Sequence, residues 1–189
     1  LAKERCCGVP LIANGFLASA EKNARRNIAA LVRAMPAPDT PIVSASSSCS
    51  YALKDEYAGF PCVDSSPIRD NVFYITKFLC EEIGRGNMPP LKKLAMKIAY
   101  HAPCHLQRAG GTIFTADILK RIPGLDARFL HSECCGLAGT YGFKTENYPI
   151  SKKIGEELFR LIREADLDYV VTDCETCKWQ IEMNTKYRV

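Results

Sequence analysis

The chain has 189 residues, 47% of them hydrophobic and 24% charged, the balance of an ordinary globular protein with room for one sizeable domain or two small halves sharing a core. Its net charge of +4 comes from scattered basic residues, so the sequence carries no nucleic-acid footprint. No stretch approaches the roughly 20 apolar residues that a membrane-spanning helix needs.

Taken in order, helical spacing runs over residues 18–35 and stops at Pro36-Ala37-Pro38. A short strand over 41–44 leads into Ser46-Ser-Ser-Cys49, followed by a helix carrying Tyr51, Leu53 and Tyr57. Residues 68–83 read as one further helix, with Val72, Ile75, Leu79 and Cys80 on its apolar face, and 84–90 as a linker. Residues 96–100 alternate like a strand and run into Cys104. A helix over 112–120 ends at Pro123-Gly124, and a strand over 127–130 ends at Cys134-Cys135-Gly136. Pro149 sits where the first turn of a helix tolerates it, ahead of Ile154, Leu158, Leu161 and Ile162 on one face. Residues 169–171 form a third strand delivering Cys174 and Cys177, and a last helix carries Trp179, Ile181 and Met183. Strands alternating with helices predict an α/β fold with short parallel sheets, and in such sheets sites collect at the carboxyl ends of the strands.

The chain is duplicated. The offset that carries Cys6-Cys7-Gly8 onto Cys134-Cys135-Gly136 also carries Cys49 onto Cys177, Ser46 onto Cys174, Tyr51 onto Trp179 and Ile42-Val43 onto Val170-Val171. This predicts two pseudo-symmetric repeats, residues 1–90 and 91–189. The first is degenerate, because Ser46 stands where a cysteine belongs and Cys104 has no counterpart after Leu1. The same logic predicts that the chain begins inside its first repeat, and that 1–90 is the less stable half.

Ten cysteines is a high count, but adjacent cysteines and a Cys-x-x-Cys turn suit metal or cluster ligation, or dithiol chemistry, better than a disulfide framework. A reducing cytosolic setting fits that use. Cys104, Cys134, Cys135, Cys174 and Cys177 are five candidate ligands, one more than a tetrahedral zinc site takes. Neighbouring thiols reach two metals of a cluster more easily than one ion. Gly139 and Gly142 keep the second loop small. Cys6, Cys7 and Cys49 form a weaker set in the first repeat, and Cys62 and Cys80 read as core or surface thiols. His101 and His105 flank Cys104 as ligands, proton donors or polar walls, with His131 a lesser candidate, and Trp179 reads as a core residue. Asp173 and Glu175 disfavour a thiolate at Cys174 unless positive charge or a cluster compensates.

At these residues the chain resembles the CCG-domain proteins, a family that includes a cysteine-rich component of the heterodisulfide reductases and the iron–sulfur subunits of glycolate-, lactate- and glycerol-3-phosphate-oxidising enzymes. The runs Arg5-Cys-Cys-Gly-Val-Pro-Leu-Ile-Ala-Asn-Gly15, Glu133-Cys-Cys-Gly-Leu-Ala-Gly-Thr-Tyr-Gly-Phe-Lys144 and Val171-Thr-Asp-Cys-Glu-Thr-Cys-Lys-Trp-Gln-Ile-Glu-Met183 look like the signature of its anaerobic glycerol-3-phosphate dehydrogenase branch. The resemblance implies an iron–sulfur cluster, of the noncubane [4Fe–4S] type, on Cys104, Cys134, Cys135, Cys174 and Cys177. It implies electron transfer from a flavin-containing dehydrogenase partner, oxidising sn-glycerol 3-phosphate, toward membrane quinone in anaerobic respiration at the inner face of the cell membrane. A thiol–disulfide catalytic role is the alternative, and a zinc-stabilised interaction module a third.

Overall fold

In a computed structural model, residues 2–132 and 134–189 are described; Leu1 and Glu133, the latter heading the second CCG run, lie outside the described residues. The chain divides into two compact units, Leu1–Ile75 and Thr76–Val189. Each is α/β, built on a short parallel sheet flanked by helices.

The first unit opens with α1 (Val9–Ala13) and α2 (Leu17–Ala34). Helix α2 buries Ala20, Ala24 and Asn27, a helical stripe of small residues and one amide. Strand β1 (Ile42–Ser44) leads into α3 (Ser47–Tyr51), which runs on through a π-turn to Glu56. After α4 (Ser66–Arg69), β2 (Val72–Tyr74) pairs parallel with β1, Ile42 opposite Val72. The core here is Cys7, Val9, Ala24, Ala52 and Tyr57.

The single helix expected over 68–83 is therefore three elements: α4, β2 and α5 (Ile75–Gly84). Val-Phe-Tyr is β-branched and aromatic, and pairing with β1 outweighs its helical spacing. Val72 consequently does not share a helix face with Cys80.

In the second unit β3 (Met96–His101) is the middle strand of the order β4-β3-β5, all parallel, with β4 (Leu125–Phe129) and β5 (Tyr169–Thr172) on its two sides. Alternation along β3 sends Ile98 and Tyr100 into one core with Leu119 of α7 (Thr112–Arg121). It sends Ala99 into the opposite core, with Leu158, Phe159 and Ile162 of α8 (Tyr148–Arg163) and Ile181 of α9 (Glu175–Asn184). That second core also contains Cys135, Cys174 and Cys177. The short helix α6 (Cys104–Arg108) follows β3.

Two packing expectations need correction. Helix α8 buries Ser151, Gly155, Leu158, Phe159 and Ile162, while Ile154 is 53% exposed. The helix is rotated so that its two smallest residues face the CCG loop, which comes too close for a branched side chain. Trp179 is 50% exposed rather than core; Cys177, Gln180 and Ile181 take the buried face of α9, and the indole lies against Phe143, with ring centroids 5.8 Å apart.

Candidate functional site

Each strand of the second sheet ends just before a cysteine. β3 closes at His101 ahead of Cys104, β4 at Phe129 ahead of Cys134-Cys135, and β5 at Thr172 ahead of Cys174. Because the strands are parallel, all three connections emerge on one edge of the sheet. The topology alone brings together cysteines that lie far apart in the chain.

The five thiols form one contiguous set. Cys104 hydrogen-bonds Cys134, Cys134 touches Cys135, Cys177 donates to Cys135 across 3.1 Å, and Cys177 also meets Cys174. Cys174 lies 3.2 Å from the hydroxyl of Thr176. Every cysteine of the chain is a free thiol. Among the described residues, no three His, Cys, Asp or Glu side chains are disposed to hold a single metal ion. The sulfurs are strung in sequence rather than closed around one point.

The CCG loop owes its path to glycine. Gly136 has φ of +91°, and a Cβ there would stand 2.1 Å from the Ser151 carbonyl oxygen. A Cβ on Gly155 would likewise stand 2.5 Å from the Cys135 carbonyl oxygen. Loop and helix thus meet backbone to backbone, which fixes Cys135 against α8. Ser151 and Gly155 are part of the site's construction and were not recognisable as such from cysteine spacing; the signal was a pair of small residues one turn apart in α8.

Hydrogen bonds between neighbouring thiols shift them in opposite directions. Cys134 is held well below the ordinary thiol range, first by the hydrogen bond from Cys104, then by Cys135, and also by the Gly136 amide, which donates across 3.3 Å. Cys104 is pushed up, first by its bond to Cys134 and then by burial. Cys177 is pushed up by Cys135, Cys174 and burial in that order. The pattern favours ionisation at Cys134 and opposes it at Cys104, Cys135 and Cys177, where a bound cation or cluster would favour the thiolate.

His101 is buried at 1% exposure and its pKa falls to about 4, through burial. Its Nδ1 lies 3.0 Å from the Ser132 hydroxyl, and its Nε2 has no hydrogen-bond partner. It is a neutral imidazole beside Cys134, whereas His131 is exposed. Asp173 accepts hydrogen bonds from the buried Tyr100 hydroxyl and from Thr115, the latter at 3.2 Å. These donors hold the Asp173 carboxylate next to Cys174. Glu175 lies in the first turn of α9, where the helix dipole favours an acid.

The first unit brings together a smaller set. Cys49 donates to Cys7 across 3.3 Å, the counterpart of the Cys177–Cys135 contact, and Cys6 is exposed beside them. Ser46 accepts a hydrogen bond from the Cys49 amide at 3.4 Å as the N-cap of α3; the matching Cys174 at the start of α9 makes no such side-chain bond. Cys62 is exposed and joins neither set. Cys80 is half-buried and donates to the Phe114 carbonyl of α7 at 3.5 Å.

The chain is 50% identical over its whole length to one subunit of the anaerobic glycerol-3-phosphate dehydrogenase of Escherichia coli K12, spanning 48% of that protein. It is 32% identical to one subunit of the fumarate reductase (CoM/CoB) of Methanothermobacter marburgensis, over 94% of this chain and 34% of the relative. It is 29% identical to one subunit of the dihydromethanophenazine:CoB–CoM heterodisulfide reductase of Methanosarcina barkeri, over 93% of this chain and 43% of the relative. The chain thus spans about half or less of each of these three relatives. The cysteine-rich CCG domain matches residues 1–54 and 98–182, so both CCG segments are accounted for, and the chain belongs to the cysteine-rich CCG-domain family.

Proposed function

We propose that this chain is the cysteine-rich part of an iron–sulfur electron-transfer protein, with the cluster held by Cys104, Cys134, Cys135, Cys174 and Cys177 in the repeat over residues 91–189. The observation that carries the reading is the contiguity of five free thiols at the carboxyl edge of one parallel sheet. The donor set fits the group: all-sulfur ligands, three of them (Cys135, Cys174 and Cys177) set in the apolar core with α8 and α9, with Cys134 half-buried and Cys104 exposed at the open side. A bound cluster would supply one-electron transfer. The residues themselves then set access and electrostatics. The Gly136 amide donates to the Cys134 sulfur, neutral His101 adds no charge, and Tyr100 and Thr115 hold Asp173 beside Cys174. Similarity to a component of an anaerobic glycerol-3-phosphate dehydrogenase supports a partner that oxidises glycerol 3-phosphate as electron donor; in this reading that partner carries the flavin and its substrate is sn-glycerol 3-phosphate. Membrane quinone is the acceptor in this reading, reached from the cytoplasmic face. No helix among the described residues is long and apolar enough to cross a membrane.

A second reading, a thiol–disulfide catalytic role, is favoured by one feature. An open pocket of about 540 Å³ lies beside the Cys104 and Cys134 connections, lined by Tyr100, Ala102, Gln107, Phe129, His131 and Ser132. The test is anaerobic reconstitution with iron and sulfide, followed by oxidation with a quinone or with a disulfide. The first reading expects about four irons per chain and oxidation by the quinone. Zinc without iron at the five thiols would refute both readings, and oxidation by the disulfide alone would favour the second.

A further inference from the structure

The duplicated CCG loop of the first unit is built as carefully as that of the second, yet it is not a copy of the same site. Asn27, 1% exposed, is the anchor. Its Oδ1 accepts from the Arg5 amide at 2.6 Å, and its Nδ2 lies within 3.3 Å of the carbonyl oxygens of Arg5 and Cys6 and 2.9 Å from the Tyr57 hydroxyl. That hydroxyl in turn donates to the Cys7 carbonyl across 3.0 Å. Tyr57 is wholly buried. Two buried polar side chains thus fix the backbone of residues 5–7, and with it the direction of the Cys7 sulfur, which points at Cys49. The third position is closed off, because Ser46 is turned to cap α3. What remains is two thiols in contact, with the exposed Cys6 adjacent.

We propose that Cys7 and Cys49 are a redox-active dithiol that closes to a disulfide under peroxide, and that the first repeat is a two-electron redox site rather than a second cluster site. The sulfurs are 3.3 Å apart, and a disulfide bond is about 2.0 Å long, so closure is a small rotation of two side chains. Cys49 is the entry point, being half-buried where Cys7 is buried. Cys49 ionises and its thiolate attacks one oxygen of hydrogen peroxide; the O–O bond breaks, a sulfenic acid forms on Cys49, and the departing hydroxide takes up the proton that Cys49 released and leaves as one water. The Cys7 thiol then attacks the Cys49 sulfur, the S–O bond breaks, and a second water carries off the hydroxyl and the Cys7 proton. Two thiols lose two electrons and two protons, and one peroxide is reduced to two waters. The inference does not depend on the cluster in the second unit.

The experiment treats the whole chain with hydrogen peroxide, blocks remaining thiols by alkylation, digests with trypsin without reduction, and maps the peptides. The expected product joins peptide 6–22 to peptide 34–54, lighter by two hydrogens than the sum of the free peptides. It should persist in Cys6→Ser, vanish in Cys7→Ser and Cys49→Ser, and revert with dithiothreitol. The positive signal in Cys6→Ser keeps the test independent of whether Cys7→Ser folds. Cys49 still alkylated after peroxide, a linkage that survives Cys7→Ser, or protection of Cys7 and Cys49 from alkylation by iron after anaerobic reconstitution would each overturn the proposal.

Discussion

Replacing Gly136 with alanine, against the matched change at Gly8, separates two costs that usually arrive together. Both glycines follow a Cys-Cys pair, and both have left-handed backbone, φ +91° at Gly136 and +95° at Gly8. A side chain in that region costs about 1–2 kcal/mol at either position. The surroundings differ. At Gly8 the nearest atom to a new Cβ is the Ala20 Cβ at 3.6 Å, an ordinary contact. At Gly136 the new Cβ would stand 2.1 Å from the Ser151 carbonyl oxygen, 3.0 Å from its carbon and 3.3 Å from the Gly155 amide nitrogen, all backbone of α8. Relief needs the loop to withdraw by about 1 Å or more, an overpacking cost of about 1–3 kcal/mol. Gly8→Ala should therefore destabilise the first unit by about 1–2 kcal/mol, and Gly136→Ala the second by about 2–5 kcal/mol. Native-state hydrogen exchange at the amides of α2 and α8 reads each unit separately. Withdrawal of the loop also moves Cys135 off Cys177, so Gly136→Ala should lower the iron bound on reconstitution while Gly8→Ala leaves it unchanged. Equal protection losses in the two variants, with iron uptake untouched, would show that the close approach of loop and helix is not what seats Cys135.

Cys135→Ser should abolish the visible absorbance of the reconstituted cluster, whereas Cys80→Ser, which alters a thiol bonded to the Phe114 carbonyl, should leave it intact. Tyr100→Phe removes a donor to Asp173 and should cost about 1–3 kcal/mol, seen as a lower urea midpoint with an unchanged slope. In the metal-free chain, His101 should make stability fall on acidification. Its folded pKa of about 4 lies below the ordinary 6.5, so between those values the unfolded chain binds the extra proton. The expected loss is about 3 kcal/mol from pH 6.5 to pH 4, and a chain carrying His101→Gln should lack that slope.

The parallel sheet of the second unit was legible because each strand is a short alternating or apolar segment a few residues ahead of a cysteine, and the constant offset between the repeats reinforced it. The convergence of Cys104, Cys134, Cys135, Cys174 and Cys177 followed from topology without knowledge of any contact. Strand β2 escaped because Val72-Phe73-Tyr74 continues a helical spacing through Ile75 and Leu79; only its pairing with β1, far away in sequence, makes it a strand. The burial of α8 escaped for a related reason. Hydrophobic periodicity selects the face with Ile154, but the CCG loop needs a face where backbone can touch backbone, and that face begins with Ser151 and Gly155.

The same comparison explains why two repeats with one ancestry hold different sulfur sets. The residue matching Gly155 in the first repeat is Asn27. Where the second repeat lets the Cys135 carbonyl press onto a bare helix backbone, the first fills the space with an amide that hydrogen-bonds the loop. The residue matching Cys174 is Ser46, and its hydroxyl is committed to capping α3. A serine oxygen bonded to a backbone amide is a poor substitute for a thiolate ligand, but it is a good helix start. Once those two positions are committed to structure, only the Cys7–Cys49 contact survives from the shared pattern, held by Asn27 and Tyr57. Restoring the ligand alone should therefore not restore a cluster. Ser46→Cys would remove the cap and cost about 1 kcal/mol, and it would add one sulfur to a loop that Asn27 still holds in place.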